Sequence, residues 1–387
     1  VFETLKEQPA DALLALIAQF RNDPRKDKID LGVGVYRDTT GATPILKSVK
    51  AAEKILLETQ DSKSYLGSEG DAEFTALCAE IVFGTRDNPR ITGIQTPGGT
   101  GALRLAAEII SASKPGARVL LGLPSWPNHA PIMAAAGLQV VTYPYFDLAG
   151  QKIRFEEMLA ALDKAEAGDV VLLHACCHNP TGADLSAEQW KAVTKVILER
   201  KLFPLIDCAY QGLGHGLDED AKGLRDLIAV AEEALVAYSC NKNFGLYRDR
   251  VGALFVLGRN ADAAKTVFSN LMNFARVCWS MPPDHGAAIV RTILSTPELR
   301  RQWNEEVVEM RTRLRAVREA VARADQGFGF VPEQNGMFTN FDLPPAAIQK
   351  LRAEHGIYMA GSGRINIAGL QVEDAARFVA ALKTVRG

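Results

Sequence analysis

Apolar positions along this chain follow two patterns. Through the middle they form short unbroken runs at Arg118–Gly122, Asp169–Ala175, Leu202–Asp207, Ala234–Tyr238 and Val251–Leu257. These runs are Leu-rich or β-branched, as expected of strands buried on both faces of a parallel sheet. Helix-length stretches lie between them. Ser186-Ala187-Glu188-Gln189 has the spacing of a capping box and opens a helix through Trp190–Arg200. Strands alternating with helices predict an α/β fold with a mainly parallel central sheet flanked by helices.

Toward the C-terminus the period changes. Thr296-Pro297 starts a long amphipathic helix with apolar residues at Leu299, Trp303, Val307, Met310, Leu314, Val317 and Val321, steps of three and four along one helix face. This helix is expected to join a large α/β domain, residues 41–304, to a smaller α+β domain. The smaller unit has a helix ending at Gly356, strands around Ile357–Met359 and Arg364–Ile367, and a terminal helix from Glu373. The N-terminal segment is expected to join it, so that the small domain is discontinuous and comprises 1–40 and 305–387.

Composition narrows the classes. A chain of 387 residues exceeds what one core usually serves, which agrees with two domains. Its 47% hydrophobic and 23% charged residues describe an ordinary soluble globular protein. The formal charge of −2 offers neither a basic surface for nucleic acid nor a polybasic membrane anchor. No apolar stretch approaches the roughly 20 residues of a membrane span. The N-terminus, Val1-Phe2-Glu3-Thr4-Leu5-Lys6, lacks a secretory pattern and reads as trimmed of its initiator methionine. Six cysteines are too sparse for a disulfide framework and suit reduced thiols in a cytoplasm.

Candidate chemistry gathers where the strands end. Leu202–Ile206 runs into Asp207, with Tyr210 three positions on, and the run ending at Tyr238 leads through Ser239 to Lys242. A lysine and an aspartate delivered this way are what pyridoxal 5'-phosphate requires. The amine forms a Schiff base with the aldehyde, and the carboxylate keeps the pyridine nitrogen protonated so that the ring absorbs a carbanion's electrons. Ser239 and Arg250 supply a hydroxyl and a planar cation for the phosphate. Asn179-Pro180-Thr181-Gly182 and Ser125-Trp126-Pro127-Asn128-His129 follow two further strands. Each loop alone is an ordinary turn; together at the carboxyl edge of one sheet they make a ligand site.

Gly98-Gly99-Thr100 opens a helix whose free N–H groups can hold a phosphate, although no Gly-Lys-Ser/Thr follows to make a P-loop. Gly32-x-Gly34 lacks the third glycine of a dinucleotide fingerprint, which argues against an NAD dehydrogenase. No Gly-x-Ser-x-Gly elbow marks a hydrolase. His174, Cys176 and His178 alternate as ligands on one strand face would. They end a buried run with no second ligand pair, so they read as core residues and no metal is expected. Arg364 suits bidentate binding of a carboxylate, although its spacing alone better suits a solvated strand-end charge.

Together these blocks resemble the fold-type I pyridoxal-phosphate enzymes and, within them, the aspartate/aromatic aminotransferase family. The similarity runs from Asp30-Leu31-Gly32-Val33-Gly34-Val35-Tyr36 to the Arg364 segment. The resemblance implies that Lys242 carries the cofactor and shuttles a proton, and that Asp207 pairs with the pyridinium nitrogen, supported by His129. It implies that Asn179 and Tyr210 bond the phenolic oxygen and Trp126 stacks on the ring. Gly99, Thr100, Ser239 and Arg250 would bind phosphate, joined by Tyr65 from the neighbouring subunit of a homodimer. Arg364, with Asn179, Trp126 and the Gly34 backbone, would bind the substrate's α-carboxylate, and Arg276 would reach across the interface to a distal carboxylate. The N-terminal segment would pack on the partner.

Two positions depart from that pattern. Residue 241 is Asn where the family usually has Ser, and residue 281 is Met where aspartate-specific members usually carry Asn. Met lacks the hydrogen-bond donors that organise a dicarboxylate site and packs readily against rings. Ser280-Met281-Pro282-Pro283-Asp284-His285-Gly286 thus resembles bacterial aromatic aminotransferases more than strict aspartate ones. The expected activity is ping-pong transfer of an amino group from tyrosine, phenylalanine or aspartate to 2-oxoglutarate. The alternatives are a strict aspartate aminotransferase, a lyase or decarboxylase using the same cofactor, and a non-catalytic module of this fold.

Overall fold

The computed structural model describes residues 1–7 and 12–386; residues 8–11 and 387, part of the expected small domain, lie outside the described residues. Seven strands build the main sheet: β1 (Ile91–Pro97), β2 (Arg118–Leu123), β3 (Gln139–Pro144), β4 (Val170–His174), β5 (Phe203–Cys208), β6 (Ala234–Ser239) and β7 (Val251–Leu257). Their order is β1-β7-β6-β5-β4-β2-β3. All neighbours pair in parallel except β7, which lies antiparallel between β1 and β6.

Burial on both faces accounts for the unbroken apolar runs. Val119, Leu121, Val170, Leu172, Leu205, Leu235, Ala237, Leu254 and Val256 point into one core. That core is shared with helix α1 (Gly98–Ser113) and helix α2 (Ala261–Cys278). The alternate residues Leu120, Val171, Leu173, Ile206, Val236, Tyr238, Ala253 and Phe255 point into the other core. With period two and apolar residues required on both sides, no polar face interrupts the run.

Two main-sheet strands escaped the sequence reading. β3 is an edge strand, mostly exposed, with a half-polar sequence. β1 carries Gly93, Gln95 and Thr96, and its polar side chains are buried because they serve loops and caps: Gln95 Oε1 accepts from Asp71 N at 2.8 Å and Gln95 Nε2 donates to Pro283 O at 2.8 Å.

The capping box forms as expected: Ser186 accepts from Gln189 N, and the helix runs Ala187–Arg200. The long helix α3 spans Pro297–Ala324 and buries every residue of its apolar stripe. Beyond it, Ile29–Asp30 pairs in parallel with Ile357–Tyr358, and Phe338–Asn340 pairs antiparallel with Arg364–Asn366. The C-terminal helix begins at Ala375, after a turn that takes in Glu373. Among the described residues no helix is long and apolar enough to cross a membrane.

Candidate active site

The carboxyl ends of β4, β5 and β6 lie side by side, and the loops leaving them meet the start of α1. A cavity of about 190 Å³ at this junction is lined by Gly99, Thr100, Trp126, Asn179, Asp207, Tyr210, Ser239, Asn241, Lys242 and Arg250. Local rules put each there. Gly98, at φ +72°, makes the turn from β1 into α1, and a Cβ on it would lie 2.8 Å from Arg250 Nη2. The first N–H groups of α1 consequently face the cavity with no partners of their own in the helix.

Asp207 is buried, and its Oδ2 lies 3.0 Å from His129 Nε2; His129 Nδ1 lies 2.8 Å from Ser125 Oγ. With the carboxylate as acceptor, Nε2 donates to Asp207, and in that tautomer Nδ1 accepts from the serine hydroxyl. Across the cavity Asn179 Nδ2 donates to Tyr210 Oη at 3.2 Å. Burial pushes the Tyr210 phenol upward, so it stays protonated as a donor.

Lys242 Nζ donates to Gly34 O at 3.3 Å and sits 4.8 Å over the Tyr247 ring. Burial first, then the Arg250 and Arg364 cations, lower its pKa to about 8. Arg364 Nη2 donates to Gly32 O at 2.9 Å, and its guanidinium lies 4.6 Å over the Phe338 ring.

Other expected site residues fall elsewhere. Tyr65 is 92% exposed and Arg276 is also exposed, its Nη1 donating to Ser280 Oγ at 2.5 Å. Neither lines the cavity of its own chain. Met281 Sδ accepts from Leu66 N at 3.0 Å, which ties it to the segment bearing Tyr65. Asn241 is anchored by its carbonyl, which accepts from Val251 N at 3.2 Å. The alternating trio does not assemble: the rings of His174 and His178 pack at 4.2 Å, and Cys176 lies with Cys177 and Asp220. Cys177 has φ +52°, so the chain leaves strand geometry before His178 and the alternation no longer fixes a common face.

A lysine amine and an aspartate at neighbouring strand ends, beside a glycine turn and a phosphate-sized set of donors, define an α/β enzyme built around a carbonyl cofactor. The family described as aminotransferase class I and II matches residues 26–382. A tyrosine aminotransferase of Rhizobium meliloti is 55% identical over 381 residues, 97% of this chain and 98% of its own. An aspartate aminotransferase of Salmonella typhi is 44% identical over the full length of both chains (100% each). The solved aromatic-amino-acid aminotransferase of Burkholderia pseudomallei, covalently bound to pyridoxal phosphate, superposes with a TM-score of 0.96 at 39% identity, covering 100% of this chain and 99% of that one. The chain belongs to the class I and II aminotransferase family, and it is a fold-type I, pyridoxal-phosphate-dependent transaminase.

The residues present fit that cofactor. Among the described residues Asn179 Oδ1, on a residue that lines the cavity, is buried without a hydrogen-bond partner. Gly99 keeps the backbone open beside Ser239, whose Cβ would be 3.1 Å from an added Cβ. Arg250 and Ser239 lie beside Gly98 and Gly99 at the α1 N-terminus, and Asp207 lines the same cavity. Three contacts were missed in the sequence. Phe338 lies under Arg364, Tyr247 beside Lys242, and Asn366 Nδ2 donates to Val33 O at 2.6 Å and Val35 O at 2.7 Å. Asn366 had a signal, a polar residue inside a short apolar run; the two aromatic rings had none.

Proposed function

We propose that this aminotransferase moves the amino group of an aromatic amino acid, tyrosine or phenylalanine, and/or aspartate to 2-oxoglutarate. The substrates react in turn at one site in a ping-pong cycle. The observation that carries this reading is the buried Lys242 amine, held between Gly34 O and the Tyr247 ring with its pKa lowered to about 8. An amine so tuned can take and return a proton near neutral pH.

Pyridoxal 5'-phosphate, when bound, supplies an aldehyde for the amino group and a ring that takes up the electrons of the breaking bond. The chain's residues do the rest. Gly99, Thr100, Ser239 and Arg250 would hold the phosphate, with Tyr65 contributed by a second copy. Asp207, braced by His129, would hold the ring nitrogen's proton, Asn179 and Tyr210 would bond the phenolic oxygen, and Trp126 would stack on the ring. Lys242 Nζ takes the proton from the donor's α-carbon. Arg364, with Asn179, Trp126 and the Gly34 backbone, orients the α-carboxylate so that this C–H bond faces the lysine.

Arg276 and Tyr65 lie outside their own chain's cavity, which supports a homodimer whose sites are shared. Arg276 would then meet the distal carboxylate of 2-oxoglutarate or aspartate. Met281, beside the Tyr65 segment, favours an aromatic ring there. The pairing of Ile29–Asp30 with Ile357–Tyr358 supports a discontinuous small domain of 1–40 and 305–387 beside a large one of 41–304. All six cysteines are free thiols, which suits a cytoplasmic location.

A single-turnover titration with phenylalanine and, separately, aspartate tests the substrate. Faster conversion of the cofactor to its amine form with phenylalanine is the expected result. A strong preference for aspartate would mean that Arg276 dominates and would favour the strict aspartate reading. Glutamate formed in step with each keto acid separates transamination from a lyase or decarboxylase.

A further inference from the structure

Arg318, on α3, is a buried cation that the proposed reaction does not use. It is 2% exposed, and among the described residues no carboxylate forms a direct ion pair with it; Asp184 acts on it only at longer range. Burial lowers its pKa to about 10, still high enough to stay charged. A buried charge with no carboxylate in direct contact is costly, and an apolar residue of similar size would be cheaper at a position needed only for packing. The guanidinium is instead wrapped by one segment. Nη1 donates to Val331 O at 3.0 Å and Thr339 Oγ1 at 2.9 Å, and Nη2 donates to Asn335 O at 3.1 Å, Gly336 O at 2.9 Å and Phe338 O at 2.7 Å. Four carbonyls of residues 331–338 thus turn inward onto one planar fork, a geometry that lysine's point charge cannot satisfy.

What this segment carries is the floor of the carboxylate subsite. The Phe338 ring lies under the Arg364 guanidinium at 4.6 Å and meets Tyr210 edge-on at 5.8 Å. A Cβ on Gly34 would lie 3.0 Å from its tip. The same segment is tied to the Asn179 loop: Asn335 N donates to Gly182 O at 2.7 Å and Asn335 Nδ2 to Asp184 Oδ2 at 3.1 Å. Asp184 in turn accepts from Cys177 N and His178 N, both at 2.9 Å.

We propose that Arg318 is a positioning residue for the carboxylate subsite: by gathering the 331–339 backbone it fixes Phe338 beneath Arg364 and keeps Arg364 in register with Asn179. This rests on the reading that Arg364 binds the substrate carboxylate.

The test uses the cofactor-loaded Arg318→Lys and Phe338→Leu variants, with 3-phenylpropionate, a carboxylate that cannot react, as probe. Arg318→Lys should weaken 3-phenylpropionate and raise the KM of the amino donor by roughly tenfold each, with kcat changed much less, the signature of lost ground-state carboxylate binding. Phe338→Leu should reproduce that split, and the double variant should fall short of the product of the single effects. A folded, loaded Arg318→Lys enzyme with lowered thermal stability but unchanged probe affinity and KM would make Arg318 merely structural and overturn the proposal. Multiplicative effects in the double variant would overturn the route through Phe338. Wild-type enzyme that transaminates but does not bind carboxylates through Arg364, judged by an Arg364→Lys control, would overturn both this inference and the reading beneath it.

Discussion

The behaviour of one amine decides most of the chemistry. Lys242 is pressed toward its neutral form by burial, then by Arg250 and Arg364, with Asp207 opposing, and the balance leaves a pKa near 8 in place of the ordinary 10.5. The neutral, nucleophilic fraction therefore rises as pH climbs through about 8. In protein stripped of cofactor, arylation of Lys242 should accelerate with a midpoint near pH 8, followed by peptide mass spectrometry; a midpoint near 10.5 would contradict the electrostatic argument. At this scale Lys242 and Asp207 stood out as candidates because each follows an apolar strand, whereas Asn179 and Arg364 looked like an ordinary turn residue and a strand-end charge, and only family resemblance gave them roles. Phe338 and Tyr247 were not, since an aromatic residue near a strand or turn looks the same whether it packs in a core or beneath a cation.

Elements here are held by partners far away in the chain. The helix Lys47–Thr59 has Leu46 at its N-cap, which cannot cap it. Glu306 of α3 fills the role, accepting from Lys47 N at 2.5 Å, Ser48 N at 3.3 Å and Ser48 Oγ at 2.5 Å. Glu306→Ala should lower unfolding stability by about 1 kcal/mol, the usual worth of an N-cap, read from denaturant melts of the holoenzyme. A change within about 0.3 kcal/mol would show that water caps the helix as well. Such a cap is invisible to local motif reading, unlike the Ser186 box, whose members sit three residues apart. The strands divide the same way. Those buried on both faces were legible as apolar runs, whereas β3 is an exposed edge and β1 spends polar side chains on its neighbours. The antiparallel direction of β7 has no local signature, because pairing direction is set by the connection and not by the strand.

The whole molecule places its reactive groups where two cores, one on each face of the sheet, leave the strand ends open. The main architecture was legible from alternation of strand and helix. The roles proposed for Tyr65 and Arg276 rest on family resemblance alone, since neither lines its own chain's cavity. A single chain's periodicity says nothing of what a second copy would bring. The central claim is that amino transfer runs through Lys242, and the most direct test is Lys242→Ala loaded with pyridoxal 5'-phosphate and supplied with phenylalanine or aspartate and 2-oxoglutarate. The expected result is cofactor still bound through its phosphate contacts, with glutamate formation reduced by about a thousandfold or more, the scale of losing an essential proton-transfer group. Turnover close to wild type in that variant would contradict the account.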